Sequence, residues 1–400
     1  MPTEAVLRQR VLWLLAAIFL LVAASSASAM PRIGVMTMEP GEQFWERFGH
    51  DAIVVVDPET GSAVSYNFGF FDMGEDGFFG RFIAGRMQYQ LVALPMDDDL
   101  ASYAESGRGV GIQWLDIDAA QADALEAMLR ENAKPENSRY TYDYYTANCS
   151  TRVRDALDVA LGGALKRQLS GRSQGNTFRS ESVRLAWPAK WMAVGFDLGL
   201  ASYADRPLSR WDEAFIPMRL RDSLREVKRD DGRPLVLDEA ILLPHRLSMP
   251  PAETPRTKVP ALFAGIALAF AILWLGRRAP RLLAAGALLL WTLCGLGGAV
   301  MLFIWLGSAH VAGHGNLNLL LLSPLALLAL PGGWAVLRKR PPTAFFRIVL
   351  VALAASAAIG GFLSLLPFLV QQNLSWVLLL LPTHWALLRS LAPAKVAPTL

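Results

Sequence analysis

At 400 residues, 53% of them hydrophobic, and with a mean hydropathy of +0.31, the chain is too apolar for an ordinary soluble enzyme. Its net charge of +3 is unevenly spread: nine of the 38 basic residues lie beyond Lys258, and no acidic residue follows Glu253. The part before the apolar third is therefore mildly acidic, which argues against nucleic acid as a partner.

The chain opens with Arg8 and Arg10, an apolar run from Val11 to Ala24, and Ser25-Ser26-Ala27-Ser28-Ala29. A basic flank, a short apolar stretch and an Ala-x-Ala ending predict a secretory signal peptide over residues 1–29, with an uncleaved N-terminal anchor as the alternative. Either one exports the adjoining domain. Residues 30–249 have mixed composition and form that expected exported domain.

Within it, Ile53 to Val56 is β-branched and ends at the turn signals Asp57-Pro58 and Thr60-Gly61, which predicts a strand. Val64 to Phe71 reads as its antiparallel partner. On these strands His50, Ala52 and Val54 share a face, and hairpin geometry allows Asn67 to lie beside His50. Phe78 to Met87 is an aromatic-rich segment, on the surface or over a site. Gln88–Leu94 and Val110–Ile117 are further strand candidates. Residues 119–132 predict a helix with Asp118 as its N-cap.

The tyrosine-rich run from Tyr140 to Tyr145 leads into Asn148-Cys149-Ser150-Thr151-Arg152. Beyond it Val153, Ala156, Leu157, Ala160 and Leu161 recur at helical spacing, so Cys149 falls at a helix N-terminus. Unpaired N–H groups and the helix dipole there favour a thiolate. The alternative is a buried structural cysteine. Strand and helix fragments come next, at 190–200 and 210–224. No repeat, Gly-rich phosphate loop or metal-ligand cluster occurs, so no cofactor and no metal is expected.

A Pro-rich linker over 250–258 precedes five apolar blocks, about 259–275, 282–306, 317–337, 345–370 and 374–391, each near the roughly 20 residues that span a bilayer. Loops after the first, third and fifth blocks carry Arg277, Arg278, Arg281, Arg338, Lys339, Arg340, Arg347, Arg389 and Lys395; the other two carry no Lys or Arg. The positive-inside rule puts those basic loops and the tail over 392–400 in the cytoplasm, and the 30–249 domain outside.

The two cysteines, Cys149 outside and Cys294 in the second apolar block, do not form an ordinary intradomain disulfide. A lone thiol facing an oxidising compartment is a liability unless used or buried. A thiol at a helix start, His50 at a strand start and Asn67 on the adjacent strand make a nucleophile, a base and an orienting group. The alternative for His50 is a satisfied core histidine. Tyr144, Asn148 and Arg152 are the candidate substrate-binding residues. In papain-like folds the cysteine helix precedes the histidine strand; the reversed order here is that of a circular permutation.

Phe48-Gly49-His50, Tyr66-Asn67-Phe68-Gly69, Tyr142-Asp143-Tyr144 with Asn148 to Asp155, and Trp211 to Pro217, followed by five apolar blocks, resemble the Lnb-type bacterial lipoprotein N-acyltransferases. The resemblance covers nearly the whole chain. It implies an α+β fold: a circularly permuted papain-like (NlpC/P60-related) exported domain, then an all-α bundle of five transmembrane helices in the bacterial inner membrane. It further implies Cys149 as nucleophile and His50 as base. The implied reaction moves an acyl chain from a membrane phospholipid, through a Cys149 thioester, to the N-terminal amine of a diacylglyceryl lipoprotein. Two other readings remain open: a papain-like hydrolase of cell-envelope peptides, and a non-catalytic envelope binding module.

Overall fold

A computed structural model describes residues 13, 30–255 and 257–391. Apart from Trp13, the expected signal peptide over 1–29 lies outside the described residues, as does the tail over 392–400. The exported part is built on a seven-stranded antiparallel sheet. Its strands are β1 (Arg32–Met38), β2 (His50–Val56), β3 (Ala63–Phe70), β4 (Gln88–Pro95), β5 (Val110–Leu115), β6 (Arg139–Thr141) and β7 (Val236–Leu243), in the order β6-β4-β3-β2-β1-β5-β7. Three of them, β1, β6 and β7, have no counterpart in the sequence expectations. β1 is buried along nearly its whole length between β2 and β5, so it shows no polar alternation to read.

Alternation on β2 and β3 divides the sheet into two apolar faces. Ile53, Val55, Tyr66 and Phe68 face helices α3 (Ala119–Asn132) and α4 (Cys149–Ala160). Ala52 and Val54 on the other face join Met36 and Met38 under α2 (Met96–Ser106), which supplies Leu100 and Tyr103. α1 (Phe78–Ala84) is the aromatic-rich segment. α3 starts at the expected cap, with Asp118 and Gln121 forming a reciprocal capping box. α4 is positioned by one apolar stripe, Val153, Ala156 and Leu157; fully burying Leu157 alone contributes about 1.5–3 kcal/mol.

Further helices of this part are α5 (Ala164–Leu169), α6 (Phe178–Ala186), α7 (Lys190–Gly199), α8 (Arg210–Glu213) and α9 (Pro217–Leu224). The fragment over 210–224 is two helices, parted before Pro217, whose ring and missing N–H favour a first-turn position.

The apolar third crosses the membrane as α10 (Lys258–Arg278), α11 (Pro280–Gly307), a third span over Val311–Leu337, α13 (Ala344–Leu363) and α14 (Leu374–Leu391). The third span is not a continuous helix. It is built of 3-10 turns at Leu317–Leu320 and Pro324–Ala329, and only then the α-helix α12 (Leu330–Leu337). Irregular backbone at membrane depth survives where protein satisfies its polar groups. Here Ser356 Oγ donates to Leu320 O at 2.9 Å, and His384 Nε2 lies 2.9 Å from Leu321 O, the role of that buried intramembrane histidine. Gly298 on α11 makes room for the broken backbone, since a Cβ there would collide with Leu322 O.

The exported part is bonded to the outer ends of these spans. Ala309 N donates to Ala84 O and Ala201 N to Ala312 O. Asn316 and Asn318 donate to Leu198 O, and Trp376 Nε1 to Asp197 Oδ2. Arg179 forms a buried two-pronged pair with Asp205, which also accepts from Gln372 N. Replacing His384 by Leu, which leaves Leu321 O unpaired, is expected to cost about 1 kcal/mol of bundle stability. An SDS-titration unfolding curve of the whole chain in mixed micelles measures it; an unshifted curve contradicts the role.

Candidate active site

Cys149 opens α4 as its first residue, and the turn before it is fixed by side chains. Asp143 Oδ1 accepts from Tyr145 N, Thr146 N and Thr146 Oγ1. Asn148 caps the helix: its Oδ1 accepts from Thr151 N at 2.9 Å, and Thr151 Oγ1 accepts from Asn148 N at 2.8 Å. Asn148 Nδ2 donates to Tyr144 O and Phe215 O, while Arg154 stacks on Trp211 and donates to Trp211 O. The Trp211 to Pro217 segment is therefore the cradle of the cysteine turn.

His50 opens β2. The residue before it, Gly49, has φ of 78°, and a Cβ there would press on Met38 O at 2.8 Å. Ala52 opposes Asn67 in the β2–β3 register, which sets Asn67 diagonal to His50 on one face. His50 Nε2 lies 2.9 Å from Asn67 Oδ1. Asn67 Nδ2 in turn donates to Asp99 Oδ2 at 2.8 Å, and Ser65 Oγ to the same oxygen at 2.6 Å. The acceptor Asp99 fixes the amide's orientation, so the amide oxygen faces the ring and takes the Nε2–H. Nδ1 is left with its lone pair.

The two candidate reactive side chains lie at the same end of the sheet. Both line a cavity of about 770 Å³. The backbone N–H of Asp51, the residue joined to His50, is one of three that favour the Cys149 thiolate, with those of Ser150 and Cys149 itself. Opposite His50, β3 ends in a bulge at Gly69, whose φ is 95° and whose added Cβ would touch the Cys149 Cβ at 3.5 Å.

Burial dominates the electrostatics. It pushes the Cys149 thiol up to about 12, the Asp51 charge adds to this, and the three N–H groups only partly offset it. The thiolate expected from the helix N-terminus is thus outweighed by desolvation. Burial likewise holds the His50 imidazole well below its ordinary value; the Asn67 bond opposes this and the Arg108 charge reinforces it. Burial thus favours the neutral form of both the thiol and the imidazole.

Asp51 faces away from His50, as strand alternation requires, and is fully buried. It lies 2.7 Å from both Thr37 Oγ1 and Ser150 Oγ, and Ser150 Oγ is also 2.7 Å from Ala214 O. Ser150 has one proton for two acceptors, so a proton on Asp51 completes the network. Burial raises its carboxyl to about 6, in the same sense.

Of the residues read from the sequence, His50, Cys149, Tyr144 and Asn148 line the cavity. Asn67 sits behind His50. Arg152 is not among the lining residues; its guanidinium stacks on Tyr140 at 4.4 Å. Among the described residues that line the cavity the one Arg or Lys is Arg108, which sequence reasoning missed together with Asp99. Neither stands in a motif, and α2 as a whole is polar; a buried acid in Asp97-Asp98-Asp99 leaves no sequence signal. Among the described residues no group of His, Cys, Asp or Glu could hold a metal. His245 Nδ1 accepts from Gly109 N, His310 Nε2 lies 3.0 Å from Phe82 O, and His314 Nε2 lies 3.0 Å from Ser308 O.

Residues 24–185 match the family model of the Lnb N-terminal periplasmic domain, and residues 253–392 that of the Lnb transmembrane domain. The chain belongs to the Lnb family. No curated protein and no solved structure matches it. As a member of the Lnb family it is a multi-pass inner-membrane protein whose N-terminal α+β domain is periplasmic.

Two substitutions separate these roles. With His50 as the base proposed below, Asn67→Ala removes an acceptor from the ring as it takes up charge, and turnover is expected to fall by one to two powers of ten, about 1.5–3 kcal/mol. Far-ultraviolet dichroism should stay unchanged; undiminished turnover contradicts the orienting role. Asp51→Asn removes a charge that raises the thiol, so iodoacetamide alkylates Cys149 faster than in wild type above about pH 6. The difference vanishes below pH 6, where Asp51 is already protonated. Because the folded-state value exceeds the unfolded one, Asp51 stabilises the fold at acid pH, and that contribution is lost as pH rises through about 6. Equal alkylation rates at every pH contradict this.

Proposed function

We propose that the protein is a thiol acyltransferase that carries an acyl chain from a membrane phospholipid, through a Cys149 thioester, to the N-terminal amine of a lipoprotein. The observation that carries this reading is a Cys–His–Asn set in an aromatic-walled cavity bonded to the outer ends of membrane helices. Cys149 Sγ attacks the ester carbonyl as its proton passes to His50 Nδ1. His50 then returns the proton to the glycerol oxygen as the C–O bond breaks, releasing a lysophospholipid. The acceptor amine attacks the thioester carbonyl, gives its proton to His50, and the C–S bond breaks to leave an amide and, on reprotonation, the free thiol. The backbone N–H of Cys149 is the candidate donor to the oxyanion of both steps.

A neutral resting pair suits this sequence. The thiol is deprotonated only as it attacks, and the imidazole is free to accept a proton at neutral pH. Both substrates are confined to one leaflet, which raises their effective concentration at a site held at its surface. The aromatic walls keep water from the thioester and so favour the amine. The same walls weigh against the alternative of a peptide hydrolase, which has to bind a polar backbone and admit water. Tyr144 is the candidate acyl contact. Asn148 acts through the cap it gives Cys149.

The test is rescue of cells depleted of their own lipoprotein N-acyltransferase. The full chain should restore growth and N-acylated lipoprotein in mass spectra. Cys149→Ala and His50→Ala should not, with transfer reduced by roughly 10² to 10⁴-fold or more. Rescue by Cys149→Ala refutes the reading, and peptidoglycan fragments released without N-acylation favour the hydrolase.

A further inference from the structure

α1 is short, and its sequence Phe78-Phe79-Gly80-Arg81-Phe82-Ile83-Ala84 is apolar all round except for Arg81. Arg81 folds back, donating to Asp76 O and pairing with Glu75. A helix apolar on every side belongs inside a protein or in contact with lipid. The inward side is accounted for: Phe78 stacks near Phe71, and Phe82 lines the cavity. The outward side is not. Phe79 and Ile83, four residues apart on one face, are 63% and 53% exposed.

The location of α1 identifies what covers that face. Ala84 O accepts from Ala309 N, and Phe82 O lies 3.0 Å from His310 Nε2. Both partners come directly after the outer end of α11, which closes at Gly307 with Leu306 itself 73% exposed. Ile83 is thus one residue from a contact at the level where a spanning helix leaves the hydrocarbon. On the cavity side, Tyr144, which lines the cavity, stacks on His310 with ring centroids 6.0 Å apart, so the same loop packs against the cavity wall. Phe79 belongs to both surfaces, as it also lines the cavity.

We infer that the outer face of α1 is immersed in the outer leaflet of the membrane, and that the opening beside it is a lateral entry through which lipid acyl chains pass into the cavity. The occupant is hydrocarbon rather than a protein partner, because α1 is bonded to the loop at the outer end of a spanning helix. An apolar patch at the bilayer boundary gains by burying area in acyl chains as it would in a core. An acyl chain then reaches the cavity without crossing water. This rests on the acyl-transfer reading for its purpose, but not for its test.

Depth measured by site-directed spin labelling tests it on the full chain in phospholipid vesicles. Phe79→Cys and Ile83→Cys are labelled one at a time in a Cys149→Ala/Cys294→Ala background, with Ile241→Cys on β7, 83% exposed, as the control. Labels at 79 and 83 should be relaxed more by oxygen than by a water-soluble nickel chelate, and the label at 241 the reverse. Transferase activity is measured separately on the unlabelled chain with Cys149 intact, and nickel-dominated relaxation at 79 and 83 overturns the inference even where that chain is fully active. Oxygen-dominated relaxation, together with no transferase activity in the Cys149-containing chain, leaves the immersion standing and removes only the functional reading.

Discussion

A buried carboxyl group joins the two elements that carry the reactive side chains. Asp51 comes directly after His50 on β2, points to the opposite face, and meets Ser150, the residue after Cys149 on α4. The bond between the two second residues holds the two first residues at the same end of the sheet. Ser150 passes the connection to Ala214 O, and Asn148 makes a parallel one to Phe215 O, so the 211–217 segment is drawn into the same seam. Burying an acid there costs free energy unless it is fully hydrogen-bonded or protonated, and its raised carboxyl reflects that.

From this seam the site is held on two sides. Behind His50, Asn67 and Asp99 fix which ring nitrogen is free; Asp99 comes from α2, on the face of the sheet away from α4. In front, aromatic side chains wall the cavity, and one of them, Tyr144, stacks on His310 of the loop after α11. Desolvation then acts on both reactive groups in the same direction, against charge. Burial therefore disfavours a papain-like ion pair at rest and favours a neutral pair, which suits the proposed attack.

Much of this was legible in residue order. The signals of strand and turn around Ile53 to Thr60, the capped helix at 119–132 and the apolar stripe after Cys149 are local, and local rules recover them. Positive loop charges read the topology because they act one loop at a time. Features that were not legible depend on contacts between distant parts. β1 has no alternation because both its faces are buried, and Asp99 is indistinguishable in sequence from its neighbours Asp97 and Asp98, which are not buried. The third span reads as a uniform apolar block, yet its break depends on Ser356 and His384 from other helices. The same holds for Cys149: the helix start that favours a thiolate is visible in the sequence, whereas the burial that opposes it is not.

Intact-mass analysis of the full chain, incubated in vesicles with a single phospholipid and no acceptor lipoprotein, tests the central claim most directly. The account predicts a mass gain equal to one acyl group less one proton, located to Cys149, released by hydroxylamine at neutral pH and absent from His50→Ala. An unmodified Cys149, or an adduct that forms equally well without His50, would contradict it.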